Sequence, residues 1–207
     1  MQRAPVVKLL LWAATCLGLS GCFDSQHPLS DPHQSQADPG LAGVWRLRDD
    51  NGAVTYYHVG HVGDELPGAV MRVTGIRHNP DRKMEQFDEL LIFPTTIGDA
   101  SYLNVCGGTD AQIKLLQEKG WTKETVNEYL IFRYQAAENE LTVRALDGEA
   151  KKRAIEAGKI GGTMERNDQG QVSKFYFTDT SENLARFVQE AGDELFSHDA
   201  VRLQRVP

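Results

Sequence analysis

Basic residues, cysteine and long apolar runs are all scarce in this chain. Its 22 Lys and Arg stand against 29 Asp and Glu, a formal net charge of −7. That balance argues against a nucleic-acid partner and against a polybasic, membrane-seeking surface. The longest apolar run, Leu9 to Leu19, is too short to cross a bilayer, which takes about 20 apolar residues. There is no G-x-S-x-G elbow for an activated serine. Gly107 and Gly108 precede a helical pattern but lack the Lys-Ser/Thr pair of a phosphate loop, so they read as a turn and a cap. Only three cysteines are present, Cys16, Cys22 and Cys106.

What is there begins with an address. Arg3 and Lys8 followed by the short apolar run form the charged and hydrophobic regions of an export signal. Leu19, Ser20, Gly21 and Cys22 then resemble the lipobox of bacterial lipoproteins: an aliphatic residue, two small ones and the cysteine that is acylated. The resemblance implies a signal peptide over 1–21, cleavage before Cys22, and a diacylglycerol thioether plus an amide-linked acyl chain on that cysteine, together enough for stable membrane anchoring. Phe23, not aspartate, follows Cys22, and by lipoprotein sorting rules this implies the outer membrane, facing the periplasm. Loss of Arg3 and Lys8 leaves 20 basic residues against 29 acidic ones, a mature charge of −9. Cys106 is then the single thiol, no intramolecular disulfide is possible, and its apolar neighbours Leu103 and Val105 point to a buried position at a strand end.

Residues 22–40 carry three prolines and almost no large apolar side chains, a composition expected of a flexible tether. From Leu41 to Pro207 the pattern is that of one domain. Asn51-Gly52 between Val44–Arg48 and Val54–Val59 is a hairpin signal. Glu138-Asn139 and Asp168-Gln169-Gly170 give two more. Further strands are expected at 69–76, 86–97, 102–106 and 200–206. Helices are expected at 109–119, 150–157 and 181–191, the last with Leu184, Phe187, Val188 and Ala191 as an apolar stripe for the core. The fold class is therefore mainly β: a single antiparallel, barrel-like domain of about 8 to 10 strands with about three short α-helices over its ends or edges.

Gly43-Val44-Trp45 at the start of the first strand resembles the G-x-W opening of lipocalin-like barrels. In that family the tryptophan closes one end of the barrel and an arginine of the last strand packs across its ring. Arg202 and Arg205 are the two residues here to which that role transfers. The helical stretches after Cys106 and Leu146 are expected to break the family's up-and-down strand order. A second likeness, carried by Tyr129–Tyr134, ELTVRALD, AIEAGKIGGTM, FTDTSENLARFV and Leu195-Phe196, is to a family of bacterial lipoproteins of uncharacterised function. It spans 41–207 and brings no active-site residues with it.

Candidate chemistry reduces to surface features. His58 and His61 lie three apart on an expected strand and so face opposite ways, which disfavours a shared metal. Glu85, Asp88 and Glu89 read as an acidic, solvated strand edge, and Lys151, Lys152 and Arg153 as the wet face of a short helix. No catalytic residue, metal or cofactor is expected. The functional expectation is a membrane-anchored, non-catalytic binding module for a small apolar ligand or an envelope protein. The alternative is an inhibitor or immunity lipoprotein acting against an envelope-targeted enzyme such as a basic cell-wall hydrolase.

Overall fold

The structure, a computed structural model, describes residues 23–49, 52–63, 66–79, 84–166, 169 and 172–207, with backbone only at 78–79, 84–87 and 173. The residues of the expected signal and lipobox, including Leu19, Ser20, Gly21 and Cys22, lie outside the described residues, as do Asn51, Asp168 and Gly170 of the expected turns.

Period-two alternation builds the barrel. In β1 (Gly43–Arg48) Trp45 is buried beside an exposed Arg46. In β10 (Val201–Arg205) Val201 and Leu203 are buried while Arg202 and Gln204 face solvent. Between them run β2 (Val54–His61), β3 (Met71–Asn79), β4 (Met84–Ile97), β5 (Ala100–Gly107), β6 (Leu130–Ala136) and β7 (Glu140–Ala145). These eight close into an antiparallel barrel in the order β1-β10-β7-β6-β5-β4-β3-β2. The remaining strands, β8 (Gly162–Arg166) and β9 (Val172–Phe177), form a separate hairpin.

The helices do not break the up-and-down order, contrary to the expectation from sequence. Helix α1 (Asp110–Lys119) leaves after β5 and the chain returns as β6, which still pairs with β5. Helix α2 (Gly148–Glu156), the β8–β9 hairpin and helix α3 (Ser181–Ala191) form an excursion between β7 and β10, which also pair directly. Each helix starts where a side-chain oxygen caps its first turn: Thr109, Asp147 and Thr180 accept from the amides of Gln112, Ala150 and Asn183.

The excursions cover the outer wall rather than the ends. Tyr102, Ile131, Leu146 and Phe196 on the outside of the barrel pack against Phe177 of β9 and Leu184, Phe187 and Val188 of α3, the expected apolar stripe. Leu91, Phe93 and Cys106 pack against Ile113 and Leu116 of α1. This explains why β4 to β6 read as near-continuous apolar runs: they are buried on both faces. Cys106 is fully buried, and burial pushes its thiol up to about 12.

The segment after residue 22 is not a free tether. Leu29 and Ser25 are buried. Ser25 bridges to both Tyr129 and Phe177, tying the barrel to the hairpin. Asp24 donates its amide to the Tyr129 carbonyl at 2.8 Å and accepts from the amide of Phe177 at 2.8 Å. Its carboxylate accepts from the Ile131 amide at 3.0 Å and pairs with Lys151 Nζ at 2.7 Å. Lys151 is thus buried, at 7% exposure, with its ammonium 5.0 Å from the Phe175 ring centre, and not on a wet helix face. Low apolar content favours disorder only while nothing else satisfies the backbone; here every backbone and carboxylate group of Asp24 has a partner.

Candidate functional site

The two ends of the barrel are built differently. At the closed end Trp45 is wholly buried and its indole Nε1–H donates to the Leu41 carbonyl at 2.8 Å. Arg205 lies opposite it in the register, with its guanidinium 4.2 Å from the ring centre. That guanidinium also donates to the carbonyls of Gly40 at 2.5 Å, Ala42 at 2.7 Å and Glu138 at 2.9 Å. Arg202 points to solvent and takes no part. Gly43 has φ of 130°, and a Cβ there would lie 2.6 Å from Arg205 Nη1, so the glycine of the G-x-W triplet is what admits the arginine. A surface cleft of about 610 Å³ beside this end is lined by Asp38, Asp99, Arg133, Tyr134, Glu138 and Arg205. Three of these members are already engaged with one another or with the closing strand: Arg205 as above, and the Tyr134 hydroxyl, which donates to Asp38 Oδ2 at 2.8 Å.

Between the ends the barrel is packed. Trp45, Val59, Met71, Val73, Ile92, Leu103, Val105, Leu130, Phe132, Leu141, Val143, Val201 and Leu203 belong to one buried cluster with members from all eight strands. Leu47, Tyr57, Leu90 and Ala145 border it and are only partly buried. Tyr57 is the register partner of Trp45, and from it an inward row runs through Gly75 and Asp88, with Arg77 two residues further along β3 reaching Asp49 beside the β1–β2 turn, the mouth.

Polar side chains face inward at this mouth. Tyr57, Gly75 and Asp88 are direct partners across β2, β3 and β4, and Thr55 pairs with Arg77 one step further out. A Cβ at Gly75 would sit 3.0 Å from the Tyr57 ring and 3.3 Å from Asp88 Cβ, so this glycine lets the two side chains close over the strand. Burial raises the Tyr57 hydroxyl to about 12, and the Asp88 carboxylate reinforces the shift. Burial likewise raises Asp88, opposed by Arg77. Arg77 Nη2 pairs with Asp49 Oδ2 at 2.9 Å, and that carboxylate is only 6% exposed. Asp49 Oδ1 also accepts from the Ala53 amide at 2.8 Å, ordering the β1–β2 turn. Arg77 Nε is buried without a hydrogen-bond partner among the described residues. An unsatisfied buried donor and a half-buried carboxylate are both costly to leave alone. Together the row offers an acceptor at Asp88 and a cationic donor at Arg77, with the Tyr57 hydroxyl hydrogen-bonded to Thr55 between them, beside the apolar Leu47 and Leu90.

Other candidates disperse. Asp88 and Glu89 stand on opposite faces of β4, so Asp88 does not belong to the expected acidic edge: it faces the barrel interior, while Glu89 pairs outside with Arg72 at 2.6 Å, which also holds Asp110 at 2.9 Å. The side chain of Glu85 is not among those described. His58 and His61 are both exposed near one end of β2, three residues apart. Gly108 serves packing: a Cβ there would fall 2.3 Å from the Leu90 carbonyl carbon. The mouth cluster was hidden in the sequence because its members come from three strands. The signal that could have exposed it is parity: once Trp45 is set inward, Tyr57, Arg77 and Asp88 follow by register. No family model, curated protein or solved structure matches the chain.

Proposed function

We propose that this protein is a lipid-anchored envelope lipoprotein, held by acylated Cys22 at the outer membrane facing the periplasm, whose barrel is a non-catalytic binding module for a small amphiphilic molecule. The observation that carries the reading is the inward row of Tyr57, Gly75 and Asp88 with Arg77, beside the partly buried Leu47 and Leu90. A carboxylate and a guanidinium held inside a barrel mouth lose hydration, and a ligand's polar head restores it. The packed interior below favours a ligand that enters shallowly, its apolar part against Leu47 and Leu90 and its head group at Asp88 and Arg77. This differs from a purely apolar guest carried deep inside, as a larger cavity would take. Fold alone assigns no function; the reading rests on the side chains.

Native mass spectrometry of residues 23–207, exported to the periplasm without the lipid anchor, tests it. A reproducible extra mass that leaves on denaturation supports the ligand reading. A clean apo mass, with crosslinks from the intact lipoprotein to one envelope protein, replaces it with the protein-partner reading.

A further inference from the structure

Two observations bear on how the domain sits on its membrane. First, the body of the protein begins almost at the anchor. Asp24 is fixed by Tyr129, Ile131, Lys151 and Phe177, and only Phe23 separates it from Cys22. Two residue steps span at most about 7 Å, so a lipid on Cys22 leaves the body no room to tumble. Second, two partly exposed aromatic rings meet at that point. The Phe23 ring lies 4.3 Å from Tyr176, on the outward side of β9. Phe175, which alternates with Tyr176, turns inward under the Lys151 ammonium.

We propose that the outer face of the β8–β9 hairpin, led by Phe23 and Tyr176, docks against the lipid head groups and holds the domain in one orientation. This rests on the lipoprotein reading above. Tyrosine and phenylalanine at the head-group level are favoured because an apolar ring body meets acyl chains while the polar edge stays wet. The hairpin covers the β5–β7 wall, and β2 stands four places from β6 around the closed barrel, diametrically opposite. Tyr56 on β2, the one exposed large hydrophobic residue among those described, therefore faces away from the bilayer.

The test uses the full chain, processed in a bacterial host and reconstituted into vesicles of phosphatidylethanolamine and phosphatidylglycerol that carry a head-group quencher. Lys174→Cys, on the outer face of β9, and Tyr56→Cys, on the far wall, are each labelled with a fluorophore; native Cys106 is buried and does not compete. Intact mass first establishes acylation of Cys22. The label at 174 is then expected to be quenched several-fold more than the label at 56. A long Gly-Ser insertion between Cys22 and Phe23 should erase that difference without touching the fold. Equal quenching at both positions in the acylated protein overturns the docking while leaving the lipoprotein reading intact. A chain without acyl mass on Cys22 overturns the lipoprotein reading, and the docking with it.

Discussion

The closed end and the mouth of the barrel use the same types of residue, an aromatic ring and an arginine, to opposite effect. At the closed end Arg205 lays its guanidinium on the Trp45 face, and each of its three nitrogens donates to a backbone carbonyl. At the mouth, among the described residues, Arg77 pairs with Asp49, has no partner for Nε, and faces a Tyr57 and Asp88 whose ionisation burial has disfavoured. Satisfied polar groups stabilise a fold; unsatisfied ones at a partly open end are what a ligand completes. The first end should therefore govern stability and the second binding.

The largest effect should come from breaking the closed end at its centre. Trp45→Ala removes a wholly buried ring and should cost about 3–5 kcal/mol, read as a fall in the urea midpoint and in Tm, and should abolish ligand retention only by unfolding. Arg205→Met leaves the carbonyls of Gly40, Ala42 and Glu138 without their cationic donor and should cost about 2–3 kcal/mol. Arg202→Met on the same strand should change stability by less than about 0.5 kcal/mol; equal losses at 202 and 205 would undo the assignment of the closing arginine.

Smaller effects are expected at the mouth. Gly75→Ala must displace the Tyr57 ring and should cost about 1–2 kcal/mol, with a disproportionate loss of ligand mass in native spectra. Asp88→Asn should change the melting curve least, and its effect should depend on pH. The folded pKa of Asp88 lies above that of the unfolded chain, so the unfolded state loses the proton first as pH rises. Its contribution to stability is full below the ordinary carboxylate range and is lost as pH climbs through the raised folded value. Asp88→Asn removes that loss, so the variant should be slightly more stable than the native protein at neutral pH and no more stable near pH 3. Denaturant melts at the two pH values check it.

Much of this architecture is local enough to be read from the chain. The hairpins announce themselves through turn residues between alternating runs, and the three helices through caps and closing glycines such as Gly120 and Gly192. The G-x-W triplet marks the closed end. Parity also separates Arg205, in step with Val201 and Leu203, from Arg202, and the register of the last strand against Trp45 fixes the choice. Long-range pairing was not legible. Segment 23–40 is seated by backbone bonds to Tyr129 and Phe177, more than a hundred residues away, and by one ion pair with Lys151, none of which leaves a pattern in a proline-rich stretch. Asp88 looked like one of three neighbouring acids because sequence adjacency hides that alternate strand residues face opposite ways. The continuity of the up-and-down order was likewise invisible, since a long excursion between β7 and β10 says nothing about where the chain re-enters.

The division of labour between the two ends is tested most directly by native mass spectrometry of the wild type beside Asp88→Asn, Arg77→Met and Arg202→Met, with a melting curve for each. The account predicts an extra, denaturation-labile mass on the wild type and Arg202→Met, and its loss from both mouth variants while they remain folded. An extra mass that survives at the mouth variants, or its absence from a folded wild type, would contradict it.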